Sequence, residues 1–310
     1  MWCFINVLSV ITFHGKLMVE VCEMKKLLME ALKNIGDQSQ IIEYQRVLGG
    51  DINESYYVRS QKHRYFIKCK KHPPHHFFQL EALGLEKIRE TNSIATPQIY
   101  GIGEKDGYGY LIMEWIHGKT TPQTGEWLGR GLAEMHKHKG SGFGFQKDNY
   151  IGLLPQKNSY ISSWIDYYRE YRLEPQMTLA IQKKLLPTST LKKLEKLLTH
   201  LDQWLPKDCI PSLLHGDMWG GNWLPGHNGK PYLIDPAILY GHHEFEIAFT
   251  ELFGGFPSNF YESYQEVFPL SSNYQERKAL YQLFYLLVHL NLFGISYLPS
   301  IENIVTRYAG

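Results

Sequence analysis

Cysteine is scarce: there are four in 310 residues, at positions 3, 22, 69 and 209, and no two form a C-x-x-C pair. That excludes a disulfide framework and a zinc ribbon, and points to reduced thiols in a cytoplasmic setting. Net charge is equally scarce, because 32 basic side chains face 31 acidic ones and leave +1. No field of one sign points to nucleic acid or an anionic membrane as a partner. Long apolar runs are missing too. A spanning helix takes roughly 20 apolar residues, and the run from Trp2 to Phe13 is shorter and is interrupted by Asn6, Ser9 and Thr12. It also lacks the basic flank and small-residue cleavage site of a secretory signal. No internal repeat or low-complexity segment stands out.

What remains is ordinary globular composition, 44% hydrophobic and 20% charged, with 21 tyrosines. At this length the expectation is about two domains, or one two-lobed one. Residues 1–23 read as a poorly ordered extension, or as upstream codons of a misplaced start, because Met24 opens a better amphipathic helix (MKKLLMEALKNIG). Residues 24–117 form the expected small lobe. Ile41–Leu48, Ser55–Arg59 and Tyr65–Cys69 are β-branched and aromatic runs separated by turn signals. Phe77–Glu90 has apolar residues at helical spacing, and Pro97–Gly103 and Tyr108–Ile116 are two further strands joined by Glu104-Lys105-Asp106-Gly107. Residues 118–310 read as mainly helical, over 124–138, 159–171, 176–185, 188–204, 257–268 and 274–296, with a β-rich interruption between Leu213 and Tyr240. An antiparallel sheet lobe followed by a helical lobe is an α+β, two-lobed layout with a cleft for the site.

The densest chemistry lies in that interruption: His215-Gly216-Asp217-Met218-Trp219-Gly220-Gly221-Asn222. The spacing His-x-Asp-x-x-x-x-Asn is that of the catalytic loop of protein kinases and their relatives. Phosphoryl transfer needs a carboxylate to deprotonate the acceptor hydroxyl, which Asp217 supplies, and oxygen ligands for Mg²⁺, which Asn222 and Asp235 supply. Lys68, at the end of the third strand, fits the phosphate-binding lysine of such a lobe, and Glu81 on the following helix fits its orienting partner. Gly49 and Gly50 could lay backbone amides over phosphates. Glu114, Trp115 and Ile116 close the last small-lobe strand, where a hinge would offer backbone groups to an adenine. Trp219 beside the base could stack on a sugar face or fill the helical lobe. His215 is a second candidate on the acceptor side.

With these residues in place, the chain resembles the fructosamine-3-kinase (ketosamine-3-kinase) family, in the aminoglycoside-phosphotransferase-like branch of the protein kinase-like fold. The resemblance runs from about Ile41 to the C-terminus. It is carried by Phe143-Gly144-Phe145, Asp148-Asn149-Tyr150-Ile151-Gly152, Tyr168-Arg169-Glu170, His215-Gly216-Asp217, Ile234-Asp235-Pro236-Ala237, Leu252-Phe253-Gly254-Gly255-Phe256 and His289-Leu290-Asn291-Leu292-Phe293-Gly294. It implies ATP-dependent phosphorylation of the 3-hydroxyl of a ketosamine, the adduct of a sugar on an amine. Spontaneous loss of the 3-phosphate then frees the amine, a deglycation repair. It also implies Asp217 as base, Asn222 and Asp235 as Mg²⁺ ligands, and Lys68 with Glu81 as a phosphate clamp. The chain departs from the family at Met218, Gly220 and His243, where Leu, Ser and Arg are usual. It has Asp51 in the phosphate loop where some members carry cysteine.

Two other readings stay open: a phosphotransferase for another small amino-alcohol or an aminoglycoside, and a non-catalytic nucleotide-binding scaffold. Expected partners are small ketosamines or glycated proteins, and the sequence leaves the oligomeric state open, leaning to a monomer. His72, His75 and His76 read as a solvated loop rather than a metal site, because no ligand set of zinc spacing appears. His242 and His243 read as hydrogen-bonding partners of the catalytic segment. The aromatic stretch 159–176 is either a wall of the acceptor pocket or a packed helix.

Overall fold

Alternation along three strands decides where the sheet is covered. In the computed structural model, which describes residues 23–47 and 53–309, β1 (Ile41–Val47), β2 (Glu54–Ser60), β3 (Arg64–Lys71), β4 (Ile99–Lys105) and β5 (Tyr108–Glu114) form one antiparallel sheet in the order β1-β2-β3-β5-β4. Tyr56 and Val58 of β2, Tyr65, Ile67 and Cys69 of β3, and Tyr110 and Ile112 of β5 point to one face. A helix over residues 23–34, α1, presents Met24, Leu27, Leu28, Ala31 and Leu32 to it at helical spacing. Lys68, one residue out of phase, therefore belongs to the opposite face with Phe66. The β4–β5 turn places Asp106 (φ 51°) and Gly107 (φ 78°) in the left-handed region, as a tight hairpin between right-twisted strands requires.

Contacts gather the described residues up to Phe78, with Gln98–Trp115, into this sheet unit, and Gln79–Pro97 with Ile116 onward into a helical one. The helix α2 (Phe77–Glu90) runs from the first into the second.

In the helical unit, α3 (Thr124–His136) packs along a helix of the C-terminal half, and the hairpin β6 (Asn149–Ile151)/β7 (Leu154–Gln156) follows it. The predicted helix over 159–171 starts later, at α4 (Trp164–Tyr167), where the Ser163 side chain accepts the Asp166 N–H. It does not break at 171. A π-helical turn, Tyr168–Leu173, carries it into α5 (Glu174–Gln182). Pro175 explains the wider turn, since its ring would press on the carbonyl four residues back in a regular α-helix. After α6 (Thr188–Thr199), two small antiparallel pairs interlock: β8 (Ser212–Leu214) with β11 (Leu239–Gly241), and β9 (Trp223–Pro225) with β10 (Pro231–Leu233).

The remaining helices are α7 (His243–Phe253), α8 (Phe260–Val267), α9 (Tyr274–Phe293) and α10 (Leu298–Ala309). α7 was not expected from the sequence. His243 through Thr250 are all buried, so no polar face sets a helical period there. α10 was missed because it follows Gly294 (φ 96°), which ends α9 within the region read as the last helix. Among the described residues, no helix is long and apolar enough to cross a membrane.

The sheet unit is tied to the end of α1 by Asp37. Its carboxylate accepts hydrogen bonds from Ser39 N–H (2.9 Å), Ser60 Oγ (2.6 Å) and Tyr65 Oη (3.0 Å). Burial pushes its pKa up, but these bonds outweigh burial and hold the carboxyl well below the usual aspartate range. A depressed pKa stabilises the fold fully above the unfolded value, and that contribution is lost as pH falls through the folded one. Asp37→Asn should cost about 2 kcal/mol at neutral pH. The gap to wild type, read by urea denaturation, should narrow as pH falls below the aspartate range. A gap independent of pH would show that the charge of Asp37 contributes nothing.

Candidate active site

The loop between β8 and β9 and the loop between β10 and β11 are one structure, joined by main-chain bonds. Ala237 N–H donates to the His215 carbonyl (2.9 Å), and Ile234 N–H donates to the Asn222 carbonyl (3.0 Å). His215 closes the third link. Its ring is fully buried, Nε2–H donates to the Ile234 carbonyl (2.8 Å), and Nδ1 accepts the Asp217 N–H (3.3 Å). Burial holds its pKa below the ordinary value, in keeping with a neutral ring that has one donor and one acceptor. Gly216 (φ 85°) is required here, because a Cβ would lie 2.0 Å from the Ala237 carbonyl oxygen.

This arrangement brings Asp217, Asn222 and Asp235 together. Asn222 donates Nδ2–H to the Asp217 carbonyl (2.7 Å) and to Asp217 Oδ2 (3.0 Å), which leaves Oδ1 as its acceptor end. Asp235, just past β10, sits at φ 57°, a left-handed conformation uncommon for an aspartate and held by the bonds on either side. The Asp217 carboxyl is pushed up to about 8 by burial, with Asp235 and Glu246 adding to the shift and the Asn222 bond opposing it. A bound cation would reverse that balance. The donor set, an amide oxygen and a carboxylate beside a second carboxylate, is the hard-oxygen kind that suits Mg²⁺.

Glu246 of α7 anchors the loop from behind. Its fully buried carboxylate accepts the N–H of His215 (3.0 Å) and of Gly216, and meets His136 Nε2 at 2.8 Å. Burial raises its pKa, but His136, His215 and the Gly216 N–H outweigh that and hold it below the ordinary glutamate value. Sequence reading missed Glu246 and His136, because nothing in local spacing marks them.

Trp219 stands on the other side of the loop, 41% exposed, with its ring lying where a Cβ on Gly221 would be. Gly220 packs against Gly254 and Gly255. Next to these, Phe253 lies 4.8 Å from His289, which also faces Phe293 (5.5 Å) and Tyr297 (5.2 Å). His289 Nδ1–H donates to the Tyr285 carbonyl, so its Nε2 is an acceptor. Phe253 and Phe293 are exposed, which makes an aromatic surface next to the loop. Its signal was the i, i+4 pair His289/Phe293. In the stretch 159–176, Trp164, Tyr167 and Tyr168 are buried in the core, while Tyr160 is exposed and lies 6.4 Å from Tyr240.

The other predicted residues fall as follows. Lys68 is buried in β3 of the sheet unit, and Glu81 lies on α2 in the helical unit. One turn after Glu81, Gly84 packs on Pro236, directly after Asp235. Glu114 exchanges main-chain and side-chain bonds with Gln98, Trp115 lies against Tyr57 (4.7 Å) and Phe66 (6.2 Å), and Ile116 opens the helical unit. Gly49 and Gly50 lie outside the described residues, as do residues 1–22 of the expected extension. His72, His75 and His76 are exposed. His242 bonds the Tyr281 hydroxyl (2.7 Å), and His243 that of Tyr264 (3.0 Å).

Comparison with known proteins shows which family the chain belongs to. The fructosamine kinase family profile matches residues 24–309. A probable ketoamine kinase of Synechocystis sp. is 38% identical over 277 residues, 88% of this chain and 92% of that protein. The chloroplastic protein-ribulosamine 3-kinase of Arabidopsis thaliana is 37% identical, over 88% of this chain and 84% of its own. The crystal structure of a Thermobifida fusca protein described as a fructosamine-3-kinase superposes with a TM-score of 0.79 at 31% identity, over 87% of this chain and 94% of that one. The aminoglycoside phosphotransferase APH(4)-Ia shares the protein kinase-like fold, with a TM-score of 0.62 at 16% identity over 94% of this chain and all of its own. The chain belongs to the fructosamine kinase family and is, with it, an ATP-using phosphotransferase.

Proposed function

We propose that the chain transfers the γ-phosphoryl group of ATP to the 3-hydroxyl of ketosamines, the step that initiates their deglycation. The observation that carries this reading is the Asn222 amide held against Asp217 Oδ2 at 3.0 Å, with Asp235 fixed beside it through Ile234. Asp217 accepts the hydroxyl proton and orients the attacking oxygen, and the Asn222 bond keeps its carboxylate in one rotamer. Asn222 and Asp235 would hold Mg²⁺, which would supply positive charge to offset that of the phosphates. Lys68 binds phosphate, and the Glu114–Ile116 backbone meets the adenine. His215 keeps the two loops in register from its buried place.

Trp219, Phe253 and Phe293 offer flat, exposed rings to a sugar, and His289 Nε2 can accept a hydroxyl. Because these rings face solvent, the acceptor site suits an adduct that remains attached to a polypeptide, as protein repair demands. The unpaired thiols Cys69 and Cys209 suit a reducing, cytoplasmic compartment.

Turnover of ATP with and without fructosyl-, ribulosyl- and erythrulosyl-lysine, and with an aminoglycoside, tests the assignment; turnover only with the aminoglycoside would replace it. Asp217→Asn should lower kcat by about 10²–10⁴ with ATP affinity nearly kept. A loss of only a few-fold removes Asp217 from the mechanism. Asp235→Ala should abolish metal-dependent nucleotide binding, and normal binding of Mg·ATP by calorimetry would overturn its role as ligand. Trp219→Ala should weaken a free ketosamine and a glycated lysine in a flexible peptide together, by roughly 1–2 kcal/mol in kcat/KM. If wild type refuses the peptide, the protein-repair reading falls.

A further inference from the structure

Behind Glu246, a chain of buried polar groups continues away from the loop, and the transfer chemistry above does not use it. His136, at the end of α3, meets Glu246 with Nε2 (2.8 Å) and the Tyr264 hydroxyl with Nδ1 (2.7 Å). Tyr264, on α8, also meets Nδ1 of His243 at the start of α7 (3.0 Å). His136 is fully buried, Tyr264 1% exposed and His243 7% exposed. The His243 ring is stacked on Phe268, with centroids 4.1 Å apart.

The alternative use of this region is a cation site, because ligand atoms of His242, His243 and Glu244 lie within 4.8 Å of one another. Arg277 argues against it. Its Nη1 is 3.5 Å from Glu244 Oε2, so a cation would share that oxygen with a buried guanidinium. The Nδ1 atoms of both imidazoles are already taken by tyrosine hydroxyls.

A hydroxyl between two imidazole nitrogens donates to one and accepts from the other. Removing it leaves both nitrogens without a partner where water does not reach. His136 then keeps its direction only through Glu246, and the carboxylate loses the fixed partner opposite its two loop N–H groups. An error of a fraction of an ångström at Gly216 passes to Asp217, the next residue, where alignment with the acceptor hydroxyl controls the rate.

We propose that Tyr264 and His243 are positioning residues for phosphoryl transfer, holding His136 against Glu246 so that the loop carrying Asp217 stays in its reactive register. This rests on the kinase reading above. Tyr264→Phe, which removes both hydrogen bonds to the imidazoles, should lower kcat roughly three- to tenfold, with KM for Mg·ATP and ketosamine unchanged within about twofold. Amide exchange should quicken at His215 and Gly216 while α9 keeps its protection. His243→Leu should reproduce both effects, and His243→Asn, which keeps a polar group within reach of Tyr264, should restore them in large part. His243→Leu also serves if Tyr264→Phe does not fold.

Wild-type kcat with unchanged exchange in the loop overturns the proposal. So does exchange that quickens equally through α9, because the hydroxyl would then support the whole unit and not the loop. If the wild-type protein turns over no ketosamine, the kinase reading fails by itself, and the exchange pattern still reports whether Tyr264 and His243 restrain the loop.

Discussion

A single buried carboxylate organises the chemistry of the helical unit. Glu246 takes two successive main-chain N–H groups, those of His215 and Gly216, that no strand or helix satisfies. Leaving such groups unpaired inside a protein costs about 1–3 kcal/mol each. The ionised carboxylate is affordable at that depth only because His136 and the loop supply donors from three directions. The dependence is mutual. Without the loop the glutamate is a buried charge, and without the glutamate the loop has no reason to hold Gly216 at a positive φ. That mutual requirement fixes where Asp217 begins.

From this anchor the rest is built almost entirely by main chain. Asp217 and Asn222 are joined by side chain, but both are located by the Ile234–Asn222 and Ala237–His215 links between the two loops. The left-handed aspartate at 235 follows from the same links, since Ile234 is bonded through both its N–H and its carbonyl and the chain must then turn sharply. A side chain in such a position is costly to hold and is seen where geometry matters more than stability.

How far this was legible in the sequence depended on how local the physics was. That Asp217, Asn222 and Asp235 come together could be read because their residue types stand at a short, recognisable spacing, and the strands of the sheet unit because one face alternates. Glu246 could not. It sits in a helix buried on every side, and its partners His136 and Tyr264 are distant in sequence. His136 stands in a run, Glu134-Met135-His136-Lys137-His138, that looks solvated; only its side of α3 faces the core. The aromatic stretch 159–176 left two readings open, a wall of the acceptor pocket or a packed helix, because rings at helical spacing serve either. Trp164, Tyr167 and Tyr168 fill the core, Tyr160 is exposed, and further exposed rings come from Trp219, Phe253 and Phe293 on three separate segments.

The two sides of the loop thus follow different physical rules. Behind it, Glu246 and His136 are matched by buried partners, the rings are packed, and Phe249 stacks on Tyr285 at 3.6 Å while the Tyr285 hydroxyl reaches the Gly216 carbonyl. Rigidity there comes from burial. In front, Trp219 is set by glycines: Gly221 leaves room for its ring, and Gly220 allows the Gly254-Gly255 turn to approach. Side chains larger than glycine at 220 or 221 would need the same space as the turn or the indole. The glycines therefore let an exposed indole lie against the loop that carries Asp217 without joining the core, so one loop is rigid on its buried side and open to solvent on the other.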